Sequence, residues 1–64
     1  MDIQNTLQEI RNTGMTDAEI GIAIDAPQST VTRLRNGKHK KTDFERGQKI
    51  YNLAVDKKVI KKAA

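Results

Sequence analysis

The stretch from Thr16 to Leu34, TDAEIGIAIDAPQSTVTRL, constrains the fold more than any other part of the chain. Ile20 and Ile24 stand one helical turn apart, and so do Val31 and Leu34. Between the pairs lie Asp25, Ala26 and Pro27, and neither Asp nor Pro continues a helix comfortably. The pattern predicts two short helices that meet at a tight turn, each giving one apolar side to a shared core. Gly21 falls where the second helix would cross the first, and the lack of a side chain there lets the two backbones approach closely. This is a helix-turn-helix layout. The second helix would then turn Gln28, Ser29, Thr30, Thr32 and Arg33 outward. Those side chains are small or rich in donors, which suits base edges and phosphates.

From Met15 to Lys38 the chain resembles, without a gap, the helix-turn-helix of the Cro and lambda-type repressor (Xre) family. The resemblance is carried by Thr16, Glu19, Ile20, Ile24, Gln28, Ser29, Thr30, Val31, Arg33, Leu34, Asn36 and Gly37. In length the chain is similar to the family's stand-alone phage Cro members. The family often has Gln where this chain has Asp17, Ala at Gly21, Gly at Asp25 and Ser at Pro27. Asp adopts left-handed backbone geometry more easily than most residues, and Pro suits the start of a helix. Asp17 is the departure that matters, because a carboxylate cannot donate to a phosphate as a Gln can. That family contact is not carried over. The resemblance implies a lambda repressor-like, all-α bundle of four to five short helices.

Sixty-four residues limit the chain to one domain. A domain this small buries only about 60% of its unfolded surface, so a small helical core, completed by a dimer partner if need be, is the economical solution. There is no Cys, which removes disulfides and thiolate chemistry and fits a reducing cytoplasm. The longest apolar run, Ile20 to Ile24, is far too short to span a membrane, and the N-terminus shows no signal-peptide pattern. The net charge of +4 conceals an asymmetry. Residues 1–31 hold one Arg against five acids, and residues 32–64 hold eleven Lys/Arg against three, or −4 and +8. Such a one-sided basic field favours a polyanion.

Taken in order, Ile3, Leu7 and Ile10 form one apolar stripe on a first helix over residues 2–13, with Asp2 as N-cap and Gly14 just past its end. Thr16 and Glu19 form a capping box opening the second helix. Residues 28–36 make the third helix, closed by Asn36-Gly37, a strong turn signal. KHKK over 38–41 follows, and beside Arg33 and Arg35 it makes a strongly basic stretch. A longer helix is expected from Thr42 to about Asp56, with Thr42 to Glu45 as a second capping box. On a helical wheel Phe44, Gly47, Tyr51, Ala54 and Val55 share one side, with Ile50 at its edge. Leu53 is displaced to another side, which Ile60 would join. The organisation expected is a domain over 1–56 and a basic tail over 57–64, the tail being a frayed helix end, a short strand or a flexible segment.

For function, the resemblance implies that residues 28–36 are a recognition helix in the major groove of duplex DNA. Gln28 suits adenine, Arg33 guanine or a phosphate, Ser29 either partner, and the Thr32 methyl a thymine methyl. Thr30, Asn36, Lys38, His39, Lys40 and Lys41 are the expected phosphate contacts. The resemblance further implies a transcriptional repressor in the bacterial cytoplasm, binding a palindromic operator as a weak dimer that DNA tightens. Leu53 and Ile60, apolar residues left over once the core stripe is assigned, mark the expected dimer surface. No cofactor motif, effector pocket or catalytic constellation is visible, and His39 alone builds neither a zinc site nor an acid-base pair. Two other readings stay open. One is a helix-turn-helix accessory factor in recombination or phage packaging. The other is a small antitoxin-like module that binds protein.

Overall fold

A computed structural model describes residues 2–38 and 42–60, which form four α-helices and no strand. They are α1 (Ile3–Asn12), α2 (Asp17–Ile24), α3 (Gln28–Arg35) and α4 (Phe44–Asp56). The chain is thus the all-α bundle expected, with four helices among the described residues.

Each helix starts and stops for a local reason. The Asp2 carboxylate accepts the Asn5 N–H at 3.2 Å and opens α1. Thr16 and Glu19 cap each other at the head of α2. The Glu19 N–H donates to Thr16 Oγ1 at 3.1 Å, and the Thr16 N–H donates to Glu19 Oε1 at 3.0 Å. Asp25 ends α2 in the left-handed region at φ 58° and ψ 49°, the geometry for which Asp is better suited than most residues. At the end of α3, Gly37 takes φ 79°, which lets the Lys38 N–H reach back to the Arg33 carbonyl at 2.9 Å.

The core draws two fully buried residues from each helix: Leu7 and Ile10, Ile20 and Ile24, Val31 and Leu34, Ile50 and Ala54. Burying an aliphatic side chain of the larger kind is worth about 1.5–3 kcal/mol, so these few residues carry most of the driving force for folding. Helix α3 packs on α1 and α2, and α4 packs on the same two helices. The second helix and the third are therefore fixed from behind, while the outer side of α3 is left open.

Helix α4 departs from the wheel reading. Its buried residues are Ile50 and Ala54, and Leu53 packs beside them, whereas Phe44 is 84% exposed. Tyr51 and Val55 are only half-buried. The true core side is turned by somewhat less than one residue, about 100°, from the side centred on Phe44 and Tyr51. Phe44 is the first residue of the helix, and its size gave it a weight in the wheel that its position at the end of the element does not support. The expected second capping box is also shifted. Asp43, not Thr42, caps α4, accepting the Arg46 N–H at 2.7 Å. A carboxylate one residue later is the stronger acceptor for the helix dipole.

Residues 57–60 fold back onto the helices. Lys58 adopts φ 62°, the Val59 N–H returns to the Ala54 carbonyl at 3.0 Å, and Val59 and Ile60 pack against the core. Residues 57–60 are therefore a reversing turn laid against the core. Leu53 and Ile60, expected to be left over once the core was assigned, pack against the core and are half-buried. Residues 61–64 lie outside the described residues. Among the described residues, no helix is long and apolar enough to cross a membrane.

Gly21 is where α2 meets the turn. A Cβ there would lie 2.5 Å from the Ala26 carbonyl oxygen and 3.5 Å from the Gln28 nitrogen. The Ala26 N–H already donates to the Gly21 carbonyl at 2.8 Å, so the opposing atoms are backbone and cannot rotate away. Gly21→Val should cost at least the 1–3 kcal/mol typical of overpacking, roughly 4–8 °C of melting temperature per kcal/mol in a domain of this size. An unchanged thermal melt would contradict the close approach.

Candidate nucleic-acid interface

The outer side of α3 collects the residues singled out by sequence. Gln28, Ser29 and Arg33 are exposed, while Val31 and Leu34 on the opposite side are fully buried. Three and four residue spacings explain the division, since one side of a helix cannot both fill a core and face a ligand. The side chains of Gln28, Ser29 and Arg33 have no hydrogen-bond partner among the described residues. Asn36 and Lys38 are exposed at the C-terminal end of the helix, and Thr30 is half-buried. His39, Lys40 and Lys41 lie outside the described residues.

The start of α3 is open. Pro27 is its N-cap with extended backbone, and no side chain caps the first turn. The Pro27 carbonyl takes the Thr30 and Val31 N–H groups, and no side chain caps the N–H groups of Gln28 and Ser29 before them. Such an end carries partial positive charge and favours an anion or an acceptor atom.

Thr32 and Arg35 behave differently from the rest of the surface. Thr32 Oγ1 donates to Asp17 Oδ2 at 2.9 Å and lies 3.1 Å from the Gln28 carbonyl. Arg35 grips the same carboxylate with two donors, Nε to Oδ1 and Nη2 to Oδ2, each at 3.0 Å. Arg11 on α1 approaches Asp17 Oδ1 at 3.5 Å with its Nε. Gln8, also on α1, donates to the Arg35 carbonyl at 3.4 Å and accepts from Arg35 Nη1 at 3.5 Å. Asp17 is therefore the point where α1, α2 and α3 are tied together by polar groups. Its residue surface is only 8% exposed.

Asp17 does not face outward as a bare anion that repels phosphate, because two guanidinium groups neutralise it inside the fold. The Arg35 fork holds its carboxyl below the usual carboxylate range against the opposing effect of burial, with help from the Thr32 hydroxyl and the charges of Arg35 and Arg11. Arg35 is pushed upward by the same pair. The hydroxyl of Thr32 is committed to the fold, so only its methyl is left for the role expected of it. Arg35 drops out of the free basic charge that the sequence count assigned to this region. Nothing in the local sequence pattern marks the Asp17–Arg35 pair, whose members stand eighteen residues apart.

Among the described residues, no cluster of His, Cys, Asp and Glu is grouped to hold a metal ion. Acidic pH should weaken the fold through two groups on α2. Asp17 and Glu19 both have lowered folded pKa values, Glu19 because it accepts the Thr16 N–H. Each contributes stability above its unfolded pKa and loses it as pH falls through the lowered folded value. Melting temperature should therefore fall between about pH 5 and pH 2, and D17N should flatten that dependence more than E19Q, since Glu19 is exposed and screened. An identical acid profile for D17N and the wild-type chain would contradict the burial and pairing of Asp17.

No family model, curated protein or solved structure matches this chain.

Proposed function

We propose that this chain is a sequence-specific, duplex-DNA-binding transcriptional repressor that reads the major groove with α3. The observation that supports the reading is the outer side of α3: Gln28, Ser29 and Arg33 are exposed, with no side-chain partner among the described residues, beside an uncapped helix start. A helix of this width fits the major groove, and these side chains match the donors and acceptors of base edges there. Lys38 and Asn36, exposed at the other end of the helix, extend the contact toward phosphates, and the basic stretch that follows in sequence supports it. Repression, and an operator in a bacterial cell's cytoplasm, come from the resemblance to the Cro and lambda-type repressor family. A helix of eight residues reads only a few base pairs, so two chains on half-sites about 34 Å apart give the useful specificity. Leu53 and Ile60, packed on their own core, offer a partner chain only their half-exposed edges.

One observation favours a different class. Ile22 is 84% exposed, and it lines an open hollow with Ala18, Gly21, Ala26 and Pro27 beside Gln28. A protein-binding module would use such an apolar surface. On that reading the double variant Gln28→Ala, Arg33→Ala keeps its activity and Ile22→Asp loses it.

Selection of bound sites from random duplex DNA tests the main proposal and supplies the site for the next measurement. Gln28→Ala should lose about 1–3 kcal/mol at the selected site and relax preference at one base pair. Lys38→Ala should weaken selected and random duplexes alike and make the salt dependence shallower by about one contact. Equal weakening of both duplexes by Gln28→Ala would reject α3 as the reading helix.

A further inference from the structure

The N–H fork with which Arg35 holds Asp17 is the one an arginine uses to hold a phosphate. Both contacts are 3.0 Å, and the Arg35 side chain as a whole is 21% exposed. Arg35 is the last residue of α3, at the end of the helix where Asn36 and Lys38 are exposed. An unrestrained arginine there would add a cation to any DNA backbone that α3 approached. It would do so equally for every sequence, because a phosphate carries no base information. Thr32, whose hydroxyl could otherwise bond either a base or a phosphate, is held by the same carboxylate at 2.9 Å.

We propose that Asp17 sets the specificity of the interface by standing in for a DNA phosphate, holding Arg35 on the protein so that α3 is placed by Gln28, Ser29 and Arg33. The proposal rests on the DNA-binding reading above and deepens it. Three groups face the carboxylate from the other two helices: Arg35 and Thr32 from α3, and Arg11 from α1. Arg11 matters for the design of variants. When Arg35 is replaced, Asp17 keeps a cation partner, so the fold is not left with a bare buried charge. Arg11 is also half-exposed and 3.5 Å away, so it cannot replace the Arg35 fork in geometry.

The test is the salt dependence of binding to random-sequence duplex DNA. Each phosphate contact contributes about 0.9 to the slope of log K against log salt. R35Q should leave the wild-type slope unchanged, because Arg35 is already occupied. D17N, which keeps the shape and loses the charge, should steepen the slope by about one contact, raise affinity for random duplex, and lower the ratio of selected-site to random affinity. D17N/R35Q should return to the wild-type slope. E19Q removes a neighbouring acid on α2 while keeping the capping pattern, and should not change the slope by a full contact. In the DNA-free protein, the Arg35 Nε–H should exchange slowly with solvent, and faster in D17N.

A slope made shallower by about one contact in R35Q would overturn the proposal, since Arg35 would then already be on a phosphate. D17N indistinguishable from E19Q would overturn it as well. If D17N fails to fold by circular dichroism, R35Q decides alone. A wild-type chain that bound no duplex would instead reject the DNA-binding reading, and this inference with it. Binding by the wild type with a shallower R35Q slope rejects the role of Asp17 only.

Discussion

The close approach of backbone to backbone at Gly21 is the constraint on which the structure depends. The carbonyl of Ala26 sits where any side chain at Gly21 would begin. That contact brings the chain round directly after the left-handed residue Asp25 and points α3 across α2. If the two helices stood further apart, Val31 and Leu34 would no longer meet Ile20 and Ile24, and half of the buried set would lose its partners. The turn is thus as much part of the core as the aliphatic side chains are.

The remaining helices act on this pair from behind. Helix α1 brings Leu7 and Ile10, and α4 brings Ile50 and Ala54, so the core is completed by residues from both ends of the chain. The reversal at Lys58 then lays Val59 and Ile60 against the same cluster. In a domain this small there is little apolar surface to spare. Ile22 and Phe44 are the large apolar side chains left exposed among the described residues.

The acids of the first half of the chain lie mostly at helix ends. Asp2 caps α1, Glu19 completes the box at the start of α2, and Asp25 closes α2. Asp17 is spent on Arg35 and Thr32. Glu9 alone among these acids has no such task in the described structure and stays on the surface. Four of these five acids thus sit at helix ends or between helices, while Arg33 and Lys38 are exposed on α3 and just beyond it.

Local signals determined most of the fold. The three and four residue spacings of Leu7–Ile10, Ile20–Ile24 and Val31–Leu34 named six of the eight buried hydrophobic residues among those described, and the Thr16–Glu19 box marked a helix start that the structure places at the next residue. Those features are local because a helix closes its hydrogen bonds within four residues. The side of α4 that faces inward was decided only by packing: Phe44 carries the largest apolar ring of that helix, yet its place at the first residue leaves it exposed. Whether Leu53 and Ile60 were core or surplus could be settled only once the chain was seen to reverse at Lys58. The exposed Gln28, Ser29 and Arg33 were legible because they alternate with core residues on one short helix. The commitment of Thr32 and Arg35 to Asp17 was not, because it joins helices through a carboxylate fifteen and eighteen residues away, and sequence periodicity carries no signal for a side-chain pair formed only when three helices converge.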